Sequence, residues 1–176
     1  MEGNFETHVQ LARLMGCELA SIKSPEEQAA ALAALEPFRN FPYSSQAPWF
    51  NAFVYIGGRL VESKTDISQG KYTFEWTDGS GEFTSQTNVN TMAPYTNFKD
   101  NDPNGGTSSV GFSSEPYLAM SLDEGGSEHI ARGLWIDYSR QISPALYKCC
   151  GPAKKDFSTC SVPAPKLAPQ PVMFEF

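Results

Sequence analysis

The chain has 176 residues, enough for one domain with a real core and an appendage. Its formal net charge of −7 opposes contact with the phosphate backbone of nucleic acid and with anionic membrane surfaces; it accords with cation binding and, more readily, with plain solubility. No apolar run approaches the ~20 residues that cross a bilayer, so no membrane span is expected.

The first residues, Met1-Glu2-Gly3-Asn4, are polar and lack the charged, apolar and cleavage regions of a secretory leader, so no signal peptide is expected in this stretch. Asn4 is a capping residue for a helix over 5–15, where Phe5, Val9, Ala12 and Met15 recur at near-helical spacing, and Gly16 ends it. Residues 18–22 read as a short strand. Ser24-Pro25-Glu26-Glu27 combines a cap, a proline at the first helical position and a Glu three residues after the Ser, so a second helix is predicted up to residue 35, before Pro37. A loop over 38–52 leads to an apolar strand at 53–57 and a polar excursion at 63–70. Residues 72–76 alternate, with Tyr72, Phe74 and Trp76 on one face, and 77–80 form a turn. Beyond a long loop, 117–120 and 133–137 are expected to pair, and 146–149 to make the last strand. Pro152, Pro163, Pro165, Pro169 and Pro171 then exclude regular structure. The division predicted is a domain over 1–150 and a Pro-rich tail over 151–176. Helices early and short strands later indicate an α+β fold.

Chemistry concentrates in the long loop and the strand that returns beneath it. Asp102, Asn104, Glu115 and Asp137 bring oxygen-bearing side chains to both sides of a Gly/Ser-rich excursion, and Phe98 and Trp135 stand where such a loop is pinned to a core. Carboxylates and amide oxygens gathered this way are the ligand set of a hard cation such as calcium, which takes six to eight oxygens. Asn101-Asp102-Pro103-Asn104-Gly105-Gly106 is equally an ordinary turn composition. His8 and His129 are far apart and sit in no motif, and Asp123, Glu124 and Glu128 read as a solvated hairpin tip. Nothing assembles nucleophile, base and oxyanion stabiliser, so no enzyme is expected. Cys17, Cys149, Cys150 and Cys160 lack zinc or redox spacing, and they leave the compartment open.

The order of these pieces resembles a C-type lectin-like domain over roughly residues 5–149. Gly16-Cys17-Glu18-Leu19-Ala20-Ser21-Ile22 is similar to the family's GG-x-LASI stretch, and Tyr55-Ile56-Gly57-Gly58 stands where it has WIGL. Phe74-Glu75-Trp76-Thr77-Asp78-Gly79-Ser80 resembles its F-x-W-x-DGS strand and turn. Tyr95-Thr96-Asn97-Phe98 matches Y-x-NW, Asp102-Pro103-Asn104 matches E-P-N, and Trp135-Ile136-Asp137 lies at W-N-D. The resemblance implies two helices flanking short, mostly antiparallel strands, with a long ligand-binding loop. It also implies an extracellular or cell-surface recognition module that binds a carbohydrate or glycoprotein through calcium. The ligands carried over are Asp102, Asn104, Glu115 and Asp137, with a cis bond before Pro103, and the Asp-Pro-Asn order resembles the mannose-type arrangement. The alternative is a metal-independent structural or adhesion protein that contacts another protein through Phe98, Phe112 and the loop.

The departures from the family bear on both readings. The resemblance leads one to expect a disulfide from the first helix to the last strand and another closing the loop. Ala12 occupies the first position, Tyr117 and Arg140 the loop pair, and Cys149 alone fits, so neither bridge forms as such. Cys149 or Cys150 joined to Cys160 or to Cys17, or a reduced interior, are all open, and Tyr117 is a candidate to fill the loop's space. Ile136 in place of the family's Asn removes an oxygen and is expected to place an apolar side chain near the ion. Asp102 is about 1.5 Å shorter in reach than Glu. The family's opening strand is missing. Either residues 172–176 cover the edge it leaves or the chain is part of a longer protein.

Overall fold

The computed structural model describes residues 3–38, 53–85, 94–105, 115–122, 130–139 and 143–149. The Pro-rich tail, Arg140, Cys150, Cys160, His129, Phe112 and the acidic stretch at 123–128 lie outside them, as do the expectations placed on them.

Helix α1 (Phe5–Leu14) starts where Asn4 Oδ1 accepts the Thr7 backbone N–H at 2.9 Å, and stops at Gly16, whose φ of 69° suits a residue without a Cβ. Its buried residues, Phe5, His8, Val9 and Ala12, fall on one stripe. Helix α2 (Pro25–Leu35) starts at Ser24, whose Oγ accepts the Glu27 N–H at 3.2 Å. The Glu27 side chain departs from the expected box. Its Oε2 accepts from the Lys23 N–H at 2.6 Å, and its Oε1 from Lys148 Nζ at 2.9 Å. With its side chain only 3% exposed, Lys148 has no water to stand in for that partner, so the pair ties α2 to the last strand.

The described strands form two antiparallel sheets. The larger has the order β4 (Glu82–Thr84), β3 (Thr73–Trp76), β2 (Phe53–Leu60), β5 (Tyr117–Ser121), β6 (Trp135–Tyr138); the smaller pairs β1 (Cys17–Leu19) with β7 (Tyr147–Cys149). The two are joined through β2. Gly57 donates its N–H to Ala20 O and Leu146 donates to Tyr55 O, each at 2.9 Å. The approach is so close that a Cβ on Gly57 would stand 2.8 Å from Leu19 O. In β1–β7 the register sets Cys17 opposite Cys149, and these two form a disulfide, which gives Cys149 its partner among the alternatives left open by the sequence. A bridge between Gly3 and Ser143 holds the start of α1 to the same flank.

The sheet separates two apolar clusters by strand alternation. Leu118, Met120 and Trp135 face one way, with Phe74, Trp76 and α2; Tyr117, Ala119, Ile136 and Tyr138 face the other, with Phe5 and Val9 of α1. Tyr117 does fill space: its ring stacks on Phe5, with centroids 4.2 Å apart and planes at 10°.

His8 is fully buried in the α1 cluster, where its Nε2 meets the Ser143 carbonyl at 2.8 Å and its Nδ1 the Tyr147 hydroxyl at 2.5 Å. A carbonyl only accepts, so Nε2 carries the hydrogen and Nδ1 accepts from Tyr147. Burial lowers the pKa below 6.5, against the partial compensation of the Ser143 carbonyl. The unfolded chain therefore binds this proton more tightly, and acid favours unfolding. Compared with His8→Gln, the wild-type protein is expected to lose stability progressively as pH falls below 6.5. Above that value no His8-linked change is expected. The loss approaches about 1.4 kcal/mol for each unit by which the folded pKa lies under the unfolded one. Urea unfolding of both proteins across that range checks it, and parallel curves would contradict it.

Candidate functional site: the long-loop clasp over β6

The long loop returns to the sheet along β6. Trp135 donates its N–H to Asn97 O at 2.8 Å and accepts the Lys99 N–H at 2.9 Å, so residues 97–99 run beside the strand as a short parallel partner. The Asn97 side chain reinforces this by donating to Gly133 O at 2.8 Å. The Trp135 indole lies beneath, edge-on to Trp76, Tyr95 and Phe98, and its Nε1–H is received by Gln28 Oε1 of α2 at 3.0 Å. The side chains expected to pin the loop do so.

The chain then turns sharply. Asp102 donates its N–H to Lys99 O at 3.0 Å, Asn101 takes a left-handed φ of 68°, and the Asp102–Pro103 bond is cis, as the resemblance implied. This carries the backbone of Asn104 and Gly105 over Asp137. Asn104 N–H lies 3.1 Å from each Asp137 oxygen, and Gly105 N–H lies 2.6 Å from Oδ2. Gly105 has φ 77°, and a Cβ there would stand 3.1 Å from the Tyr72 hydroxyl. Asn104 turns its amide nitrogen to Asp102 Oδ1 at 2.5 Å, and Lys99 Nζ stands 3.8 Å from Asp102 Oδ2.

The electrostatics follow from this crowding. Burial first, and then the charge of Asp137, push the Asp102 carboxyl up to about 6, with Lys99 opposing the rise. Burial likewise raises Asp137, against the N–H groups of Gly105 and Asn104, which favour its ionised form. The phenol of Tyr72 is raised by its own burial and then by the charge of Asp137.

Of the four residues singled out by sequence, three meet: Asp102, Asn104 and Asp137 form one hydrogen-bonded group. Asp102, Glu115 and Asp137 do not make a three-carboxylate cluster among the described residues. Glu115 instead acts electrostatically on Tyr138, whose phenol burial has already pushed up to about 12. Ile136 requires a correction. Strand alternation turns it into the α1 cluster, away from the face shared by Trp135 and Asp137, so it places no apolar group beside the site. The neighbours missed from sequence are Lys99, Gly105 and Tyr72. Lys99 and Asp102 are three apart, which was a visible signal; the approach of Tyr72 from β3 was not.

The donor set does not fit calcium as it stands. Six to eight oxygens at ~2.3–2.6 Å are needed. Here both Asp137 oxygens face N–H donors, Asp102 Oδ1 faces an amide nitrogen, and Oδ2 faces an ammonium. These are positive ends of dipoles or a full positive charge, placed where a cation would have to come.

No family model and no curated protein matches the chain. Solved structures do. The carbohydrate-recognition domain of the mouse scavenger receptor C-type lectin is 17% identical, covering 82% of this chain and 81% of that one, at a TM-score of 0.49. Its human counterpart is 16% identical, with 80% and 78% covered and a TM-score of 0.46. A calcium-independent type II antifreeze protein is 16% identical, with 82% and 76% covered and a TM-score of 0.45. At these identities, and with each TM-score below 0.5, the likenesses add nothing that the chain's own geometry does not carry. That geometry is two capped helices, an antiparallel sheet fused at β2 to a terminal β1–β7 pair, and a long loop returning over β6 through a cis bond before Pro103. It is the α+β arrangement that the resemblance to a C-type lectin-like domain implied.

Proposed function

We propose that the domain is a recognition module that takes a carbohydrate or glycoprotein ligand on the long-loop face, and that it does so without calcium. The observation that carries the metal-independent form is the capture of both Asp137 oxygens by the backbone N–H groups of Asn104 and Gly105. In the calcium-dependent, mannose-type form expected from the Asp-Pro-Asn order, those oxygens belong to the ion. Around the clasp, Asp100, Asn101 and Asn104 are exposed and Tyr95 and Phe98 half-buried, a mixture of hydrogen-bonding groups and ring faces that suits sugar or protein surfaces. The Cys17–Cys149 disulfide favours an extracellular or cell-surface setting, because such bonds persist where the milieu is oxidising.

A glycan array and a panel of glycoproteins, each probed in calcium and in chelator, test this. Binding that is equal in the two conditions and weakened by Asn101→Ala is expected. A signal that disappears in chelator would overturn the metal-independent reading. Binding that survives enzymatic removal of the glycans would assign the face to protein contact instead.

A further inference from the structure

We propose that Lys99 is the built-in counter-ion of the long loop: its ammonium, together with the N–H groups of Asn104 and Gly105, supplies the positive charge that closes the loop over Asp102 and Asp137 in place of a metal ion. This inference goes beyond the ligand question and is tested without any ligand.

The two acidic side chains are nearly out of water, with the Asp102 side chain 6% exposed and Asp137 3%. A carboxylate removed from water must find positive charge or donors, or the segment that carries it will not stay folded. The sources divide between the two groups. Asp137 is served by the backbone of Asn104 and Gly105, and Asp102 by the Asn104 amide and the Lys99 ammonium. Lys99 is held ready for this on both sides. Its N–H is bonded to Trp135 O, and its carbonyl accepts the Asp102 N–H, so the turn fixes the two side chains three residues apart on one side. Its side chain is 30% exposed, which leaves the stem against the loop while the ammonium still reaches 3.8 Å from Asp102 Oδ2. A fixed monovalent charge at that distance also repels a divalent cation. The lysine therefore closes the loop and keeps metal out of it.

Amide hydrogen exchange at Asn104 and Gly105, measured by NMR on the full chain in chelator and in calcium, tests the proposal. In the wild type both amides are expected to be protected to the same degree in the two conditions. Lys99→Met is expected to exchange about tenfold faster at both sites in chelator, with calcium restoring part of the protection, while Lys99→Arg keeps it. Wild-type protection that arises only on adding calcium would overturn the proposal, and so would Lys99→Met with unchanged protection in chelator. Should Lys99→Met not fold, the wild-type comparison and Lys99→Arg decide: an arginine variant that loses protection in chelator counts against the charge argument. Because no ligand is present, failure here is separate from chelator-sensitive binding on the array.

Discussion

Trp135→Ala is expected to lower the free energy of unfolding by about 3–5 kcal/mol, read from the urea midpoint at constant slope. The indole is completely buried and meets Trp76, Tyr95 and Phe98 edge to face, the arrangement in which ring quadrupoles attract. Truncation leaves a cavity at the point where α2, the sheet and the long loop converge. It also removes the donor for Gln28 Oε1, a buried acceptor whose loss of partner costs about 1–3 kcal/mol. Trp135→Phe separates the two contributions, since it keeps a ring and loses the N–H; it is expected to fall between wild type and alanine. Against a typical total of about 5–15 kcal/mol, the alanine variant will be partly unfolded on warming. An alanine variant within about 1 kcal/mol of wild type would mean that the loop and α2 do not depend on this residue for their packing.

Breaking the Cys17–Cys149 disulfide, by reduction or by Cys17→Ala with Cys149→Ala, is expected to cost about 2–5 kcal/mol and to lower Tm accordingly. The bond joins residues 132 apart in sequence, so it closes a long loop in the unfolded ensemble and removes that loop's closure entropy. For a loop of that length the chain-entropy limit is about 5 kcal/mol. The folded state opposes little of this, because β1 and β7 already place the two residues directly opposite each other. Melting with and without reductant is the measurement. Superimposable curves would show that the β1–β7 pair closes the domain by hydrogen bonding and packing alone.

What was legible in the sequence was local. Asn4, Gly16 and Ser24-Pro25 set helix ends through groups a few residues away, and the structure places both helices within a residue of expectation. The Asp78 turn is equally local: its Oδ1 accepts the Ser80 N–H at 2.9 Å. Strand β4 was missed because Glu82-Phe83-Thr84 carries no pattern of its own and exists through pairing with β3. Strand β2 runs to Leu60 rather than ending at Gly57, since Gly58, Arg59 and Leu60 find partners on β3. At the site, the convergence of Asp102, Asn104 and Asp137 followed from motif order and a cis proline. The hydrogen-bond partners of their oxygens did not, because backbone N–H groups are invisible to residue type. The same holds for Ile136, whose direction is a matter of strand register, and for Cys17, whose partner is fixed by β1 lying against β7.

The course of residues 97–99 along β6 carries a further consequence. In the order β4-β3-β2-β5-β6 the outer flanks are β4, three residues long, and β6, whose outward N–H and C=O groups at Trp135 are taken by Asn97 and Lys99. Under the proposed function, the segment that would offer its side chains to a ligand also covers the edge at Trp135, where a strand from a neighbouring molecule would otherwise pair. A loop that peeled away to accommodate a bulky ligand would trade recognition for self-association.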